Sequence, residues 1–192
     1  LVNDLLDLSK VESGKLSVDA EMCSIDEIFA GLRGMFRPLM SNPDVLLSFE
    51  MANAIPVLYT DEGKVSQILR NFISNALKFT ESGEICVRAS CDNGMLTVSV
   101  QDSGIGIPPE NHALIFEEYS QLKSSLQRKS KGTGLGMPLS KKLAELLGGC
   151  VKLESEPGIG STFHVIIPIT YYGAQEQHPE RQSEPERKSE RN

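Results

Sequence analysis

Apolar positions change their spacing several times along the chain, and each change marks an element. Leu1, Val2, Leu5, Leu6 and Leu8 fall close to a seven-residue repeat, which predicts a helical stub over residues 1–16 that wants a partner. Residues 17–23 read as a strand. Ser24, with Glu27 three residues on, forms a capping box that opens a helix to about Met40, where Asn42 and Pro43 stop it. Short strands are expected over 45–50 and 57–59. Asp61 then caps a long helix in which Val65, Ile68, Leu69, Phe72, Ile73 and Ala76 share one broad face at helical spacing. Strands over 84–91 and 95–101 flank Asp92-Asn93-Gly94, a hairpin signal. Cys86 and Cys91 lie an odd number of residues apart in the first of these strands, so they face opposite sides and cannot pair.

After a glycine-rich loop over 102–109, a short helical piece is expected around 116–120. A helix following Gly136 carries Leu135, Leu139, Leu143, Leu146 and Leu147 on one side and closes at Gly148-Gly149. Strands over 151–154 and 162–169 surround a turn at 158–160. Helices alternating with antiparallel strand pairs predict a two-layer α/β sandwich on a mixed, largely antiparallel sheet, preceded by the helical stub. The expected organisation is a stub over 1–16, one domain over 17–172 and a disordered polar tail over 173–192, rich in Gln, Glu, Arg, Ser and Pro.

Composition narrows the classes of function. The 192 residues, 40% hydrophobic and 23% charged, suit one sizeable globular domain with flanking pieces. A net charge of −7 disfavours nucleic-acid binding. Cys23, Cys86, Cys91 and Cys150 show no CxxC spacing and read as buried thiols of a reducing, cytoplasmic compartment. No apolar run is long enough to span a bilayer. The chain opens in mid-helix on Leu1, so it reads as a piece whose parent could carry membrane or sensor segments upstream.

Candidate chemistry begins on the other side of the long helix. Gln67, Asn71, Asn75 and Lys78, spaced four, four and three residues apart, form a row of amides ending in a cation. Such a row can hold a hydrated divalent cation and the phosphates bound to it; a solvated surface stripe is the competing reading, although Glu and Lys are better helix formers than Asn. Three glycine loops follow. Asp102-Ser103-Gly104-Ile105-Gly106-Ile107-Pro108 offers backbone space for a flat ligand and an acceptor for an exocyclic amine, or is a tight turn with a capping Asp. Gly132-Thr133-Gly134-Leu135-Gly136 precedes a helix start, where free amides bind anions, and the segment before it supplies Lys123, Arg128, Lys129 and Lys131 as a basic flap or as a merely solubilising loop. Gly158-Ile159-Gly160-Ser161-Thr162-Phe163 places hydroxyls at a strand start. Neither GxxxxGK[ST] nor a dinucleotide fingerprint is present, so phosphate handling must be organised in another way.

In this order QILRNFISNALKFT, DSGIGIP, FEEYSQ, GTGLGMPLSKKLAELLGG and EPGIGSTF resemble the N box, first glycine box, F box, second glycine box and GxGSTF element of sensor histidine kinases. These belong to the ATP-binding superfamily shared with DNA gyrase, the ninety-kilodalton heat-shock chaperone and mismatch-repair ATPases. The resemblance implies the Bergerat-type ATP-binding fold, with ATP and Mg²⁺ as ligands. It implies Asn75 on Mg²⁺ with Asn71 beside it, Lys78 on a phosphate and Phe79 near the adenine. Asp102 would accept from the adenine amine, Gly104, Gly106 and Ile107 would make room, and Thr162 would complete the purine contact. Arg128 and the backbone of Gly132, Thr133, Gly134, Leu135 and Gly136 would cover the phosphates. Asn71, Lys78 and Arg128 would form the catalytic set.

The opening residues resemble the end of the dimerisation and phosphoacceptor helix. The implied partners are therefore that upstream domain and the receiver domain of a response regulator, the parent being a homodimer and the isolated chain a monomer. His112, His164 and His178 do not sit in a setting like the family's acceptor motif, and Tyr119 stands where many members carry a second Phe. The expected activity is a protein-histidine kinase whose acceptor lies elsewhere. Two alternatives are an ATP-hydrolysing conformational machine and a non-catalytic nucleotide-binding module. In the hydrolysing relatives a glutamate four residues before the metal-binding Asn activates water, and here that position is Asn71.

Overall fold

The computed structural model describes residues 2–118 and 134–173. Five strands form the main sheet in the order β2 (Val45–Met51), β4 (Gly83–Asp92), β5 (Met95–Asp102), β7 (Gly160–Pro168) and β6 (Cys150–Glu156). β2 runs parallel to β4 and every other neighbouring pair is antiparallel, so the sheet is mixed. Asn93 and Gly94, both at positive φ, make the tight β4–β5 turn that the Asp-Asn-Gly sequence predicts.

One face of the sheet is apolar and carries the helices, which makes the expected two-layer sandwich. Ile85, Val87 and Ala89 of β4, Leu96, Val98 and Val100 of β5, and Phe163, Val165 and Ile167 of β7 are buried there. α3 (Glu62–Phe79) lies over them, its Val65, Ile68, Leu69, Phe72, Ile73 and Ala76 all buried and Phe72 packed on Phe163 with ring centroids 5.4 Å apart. Leu139, Leu143, Ala144 and Leu147 bury the facing side of α4 (Gly136–Leu146). α2 (Ile25–Phe36) sits over the β2 side, where Phe29 meets Phe49 edge-on at 5.3 Å. The opposite sheet face is polar, with rows such as Glu50, Arg88, Ser99, His164 and Lys152 in register across the strands.

Several boundaries shift for physical reasons. α2 ends at Phe36 and a 3₁₀ turn, Arg37–Leu39, replaces its last turn, because Pro38 cannot donate to an α-helical ladder. Only Glu21–Cys23 of the strand expected over 17–23 is paired, as β1, because its antiparallel partner β3 (Leu58–Thr60) offers three residues. The capping box of Ser24 and Glu27 is present in both directions. Two 3₁₀ turns occur at Pro109–Asn111 and Leu114–Phe116, and Tyr119 and Ser120 of the helical piece expected around 116–120 lie outside the described residues. Cys23 and Cys86 are buried as expected, whereas Cys91 is half-buried and Cys150, on the edge strand β6, is exposed. The stub helix α1 (Val2–Glu12) packs against α4, burying Leu8, while Leu5 and Leu6 stay exposed. No helix among the described residues is long and apolar enough to cross a membrane.

Asp61 joins these layers. Its carboxylate accepts from the backbone of Lys64 as the α3 cap and from the Asp19 amide, both at 3.0 Å, and pairs with the Lys64 ammonium. Burial alone would raise this carboxyl; the hydrogen bonds from Lys64 and Asp19 outweigh it and hold the group below the ordinary carboxylate range. Its stabilising contribution is thus present above the unfolded pKa, about 3.9, and is lost as pH falls through the lower folded value. Asp61→Ala should lower unfolding free energy by about 1–3 kcal/mol at neutral pH, and urea melts should show the gap to wild type closing in acid. An unchanged midpoint at pH 7 would remove Asp61 from this role.

Candidate functional site

At one end of the sheet four chain segments converge: the last turns of α3, the end of β5, the start of β7 and the N-terminus of α4. Asp102, the last residue of β5, lies two residues beyond Val100 on the same face and so turns toward the helices, 8% exposed. Its Oδ1 accepts the Gly104 amide at 2.9 Å. Burial raises the Asp102 carboxyl above its ordinary range, and the amides of Gly104 and Ser161 offset this only in part. Among the described residues no cation pairs with it, an arrangement suited to accepting a neutral donor.

Phe79 closes α3 beside this carboxylate: its carbonyl accepts the Ile105 amide at 3.3 Å, and a Cβ on Gly104 would lie 2.7 Å from Asp102 Oδ1. Lys78 rests its ammonium 5.0 Å from the Phe79 ring centroid, and burial lowers its pKa. The Thr80 hydroxyl, sealed at the end of α3, has no hydrogen-bond partner among the described residues.

The amide row divides in two. Gln67 donates to Asp7 of α1 at 3.0 Å. Asn71 donates through Nδ2 to the Gly136 carbonyl at 3.1 Å and to Ser140 Oγ at 3.0 Å. These two residues tie α3 to its neighbouring helices. Asn75, half-buried one turn on, has no hydrogen-bond partner among the described residues. Neutral amide oxygens of this kind fit Mg²⁺ that arrives with its own phosphates, since Mg²⁺ keeps several waters and takes few protein ligands. Among the described residues no group of three His, Cys, Asp or Glu side chains could hold a metal by itself.

Two glycines expected to make room for a ligand serve the protein's own backbone here. Gly106, at φ 66°, lies against the Glu156 carbonyl, and Gly104 against Phe79 and Asp102. The loop is strapped to the β6–β7 turn by Gly158 N–H to the Ile105 carbonyl and Ile107 N–H to Ser155 Oγ, each 2.8 Å. The His112 ring meets the Ile107 carbonyl through Nε2 at 2.9 Å.

Thr162 is a correction. It pairs in register with Gln101 and Glu154, on the sheet face away from the helices, whereas Ser161 lies opposite Asp102 and is 7% exposed on the helix side. Strand parity explains the difference: Phe163 must face the core, so its neighbour cannot. That parity was legible in the sequence.

Gly134, at φ 73°, and Gly136 lead into α4, while the Leu135 side chain is buried in the core. Arg128, Gly132 and Thr133, with Lys123, Lys129 and Lys131, lie outside the described residues. Ser140, Ser155 and Asp7 were not singled out by sequence, because a lone Ser or Asp in a helix or strand carries no spacing signal.

Residues 60–171 match the family described as histidine kinase-, DNA gyrase B- and HSP90-like ATPases. The sensor histidine kinase RcsC of Salmonella typhimurium is 35% identical over 176 residues, covering 91% of this chain and 18% of its own length. The chain thus spans under a fifth of the curated relatives it matches first. Among solved structures, full-length ShkA in complex with AMPPNP superposes with a TM-score of 0.79 at 29% identity, over 90% of this chain and 36% of that one. The catalytic domain of histidine kinase ThkA gives 0.69 at 26%, over 79% of this chain and 97% of that one.

The strap around Gly106 can be tested without any ligand. Gly106→Ala meets both a positive φ and the Glu156 carbonyl, and should cost about 2 kcal/mol or more. Thermal unfolding at the wild-type temperature would contradict the contact.

Proposed function

Because this chain belongs to the family of histidine kinase-, DNA gyrase B- and HSP90-like ATPases, we propose that it binds ATP within a sensor histidine kinase and passes the γ-phosphoryl group to a histidine on a separate helical domain, for relay to a receiver-domain aspartate. The observation that carries this reading is the buried Asp102 carboxylate, without a cationic partner among the described residues, at one end of the proposed nucleotide groove, whose α3 wall offers Asn75 and Lys78 without hydrogen-bond partners among the described residues. The curated relatives and the ShkA complex with a nucleotide analogue support it.

In this reading the adenine amine donates to Asp102, Ser161 replaces Thr162 as the neighbouring hydroxyl, and Phe79 and Ile107 border the base. Asn75 offers an amide oxygen to Mg²⁺ and Asn71 a second one. Mg²⁺ bound with the triphosphate supplies charge neutralisation at the transferring group. Lys78 meets a phosphate, whose negative charge favours the ammonium and opposes the lowering of its pKa by burial. The backbone amides of Gly134 and Gly136, at the N-terminus of α4, face the phosphates. Arg128, Gly132 and Thr133 complete the phosphate cover. Asn71 cannot act as a general base, which favours transfer to a protein histidine over activation of water. α1 leads back to the domain that carries the acceptor, in a homodimeric parent.

Mixing the chain with the upstream domain and γ-labelled ATP should yield acid-labile, base-stable phosphoprotein, whereas rapid phosphate release by the chain alone would favour a hydrolytic machine. Asp102 gives a second check. A purine amine favours its carboxylate form, so nucleotide affinity should rise with pH through the raised Asp102 range and fall below it, at a higher pH than an exposed Asp would give. Asp102→Asn should weaken AMPPNP binding about 10-fold or more and flatten that profile; parallel calorimetric profiles for the two proteins would displace Asp102 from the purine.

A further inference from the structure

Asn71 is held in a way that fixes which end of its amide can reach a ligand. Gly136 is the first residue of α4 and Ser140 stands one turn further on, so the carbonyl of one and the hydroxyl of the other lie along the same side of the helix. Asn71 Nδ2 spans them, at 3.1 Å and 3.0 Å. A carbonyl can only accept, so an inverted amide would set oxygen against oxygen. An amide nitrogen carries two protons, and two acceptors use both. Oδ1 is left over, with no hydrogen-bond partner among the described residues.

Two further features support the lock. Ser140 is fully buried, so water does not compete for its hydroxyl. Gly136 packs directly on the amide: a Cβ there would lie in ordinary van der Waals contact, 3.4 Å from Asn71 Cγ. The same bridge joins α3 to the N-terminal turn of α4, the two walls assigned above to metal and phosphate.

We propose that Ser140 is a positioning residue that, with the Gly136 carbonyl, locks Asn71 as an oxygen donor toward the Mg²⁺ of bound Mg-ATP. The proposal rests on the ATP-binding reading of this groove. Without the hydroxyl, one amide proton is unpaired and the side chain can rotate away from the cation. Partners that orient a metal ligand typically govern metal affinity about 10–100-fold.

The test separates metal from nucleotide. Binding of a fluorescent ATP analogue to the full chain is titrated with Mg²⁺, and separately measured in EDTA, for wild type, Ser140→Ala and Ser140→Cys. Ser140→Ala should raise the Mg²⁺ concentration at half-saturation about 10-fold while leaving nucleotide binding in EDTA unchanged. Ser140→Cys, close in volume with a weaker acceptor, should fall between, and it keeps the comparison usable if the alanine protein does not fold. In ¹⁵N spectra of the ligand-free chain, the Asn71 side-chain protons should exchange faster with solvent in both variants. A Mg²⁺ midpoint that stays at the wild-type value in both variants overturns the proposal, as does a loss of binding equal in Mg²⁺ and EDTA. Wild type that binds no nucleotide in either condition overturns the ATP reading instead.

Discussion

The burial of one face of α3 on the single apolar face of the sheet is the constraint on which the rest depends. Phe72, Ile68, Leu69 and Ile73 are fully buried, at several kcal/mol of transfer free energy together. That packing sets the helix's rotation, and the rotation decides where the other side points. With the apolar stripe down, Gln67, Asn71, Asn75 and Lys78 stand at the flank, half-buried beside α1 and α4. Hydrophobic packing thus orients the polar row, and it leaves Asn75 without a partner among the described residues at little cost to the fold.

The amide row does two jobs along one helix. Toward the α1 end, Gln67 and Asn71 fasten α3 to α1 and α4. Toward the Phe79 end, Asn75 and Lys78 remain available, with Asp102 and the orphaned Thr80 hydroxyl nearby along the chain's convergence. A buried hydroxyl without a partner among the described residues carries a cost, and Thr80 lies at the same end of α3 as Asn75 and Lys78. That convergence with the buried Asp102, more than any single motif, supports reading this end of the sheet as a binding site.

Much of the fold was legible from the sequence because its signals were redundant. The helical spacing of α3, the Asp61 cap, the capping box at Ser24 and the Asp-Asn-Gly turn each act locally, and the structure contains all four. Strand ends were less legible, since β1 stops where β3 runs out of residues to pair. At the site, the positions of Asp102 and Phe79 followed from the motifs, but the role of the glycines did not. Gly104, Gly106 and Gly160 accommodate backbone atoms brought from distant segments, those of Phe79, Glu156 and Asp102 respectively, a tertiary contact that spacing cannot reveal. The choice between Thr162 and Ser161 turned on strand parity, and the neighbouring Phe163 already carried that information.

The central claim is that the groove between α3, α4 and the end of β5 receives the nucleotide with its base on Asp102 and its phosphates between Asn75 and the start of α4. A crystal structure of the chain with Mg²⁺ and AMPPNP tests it most directly. The account predicts the adenine amine within hydrogen-bond distance of the Asp102 carboxylate and the metal on Asn75, with the Asn71 nitrogen still turned to Gly136 and Ser140. Adenine bound away from Asp102, or a metal held by residues outside α3, would contradict it.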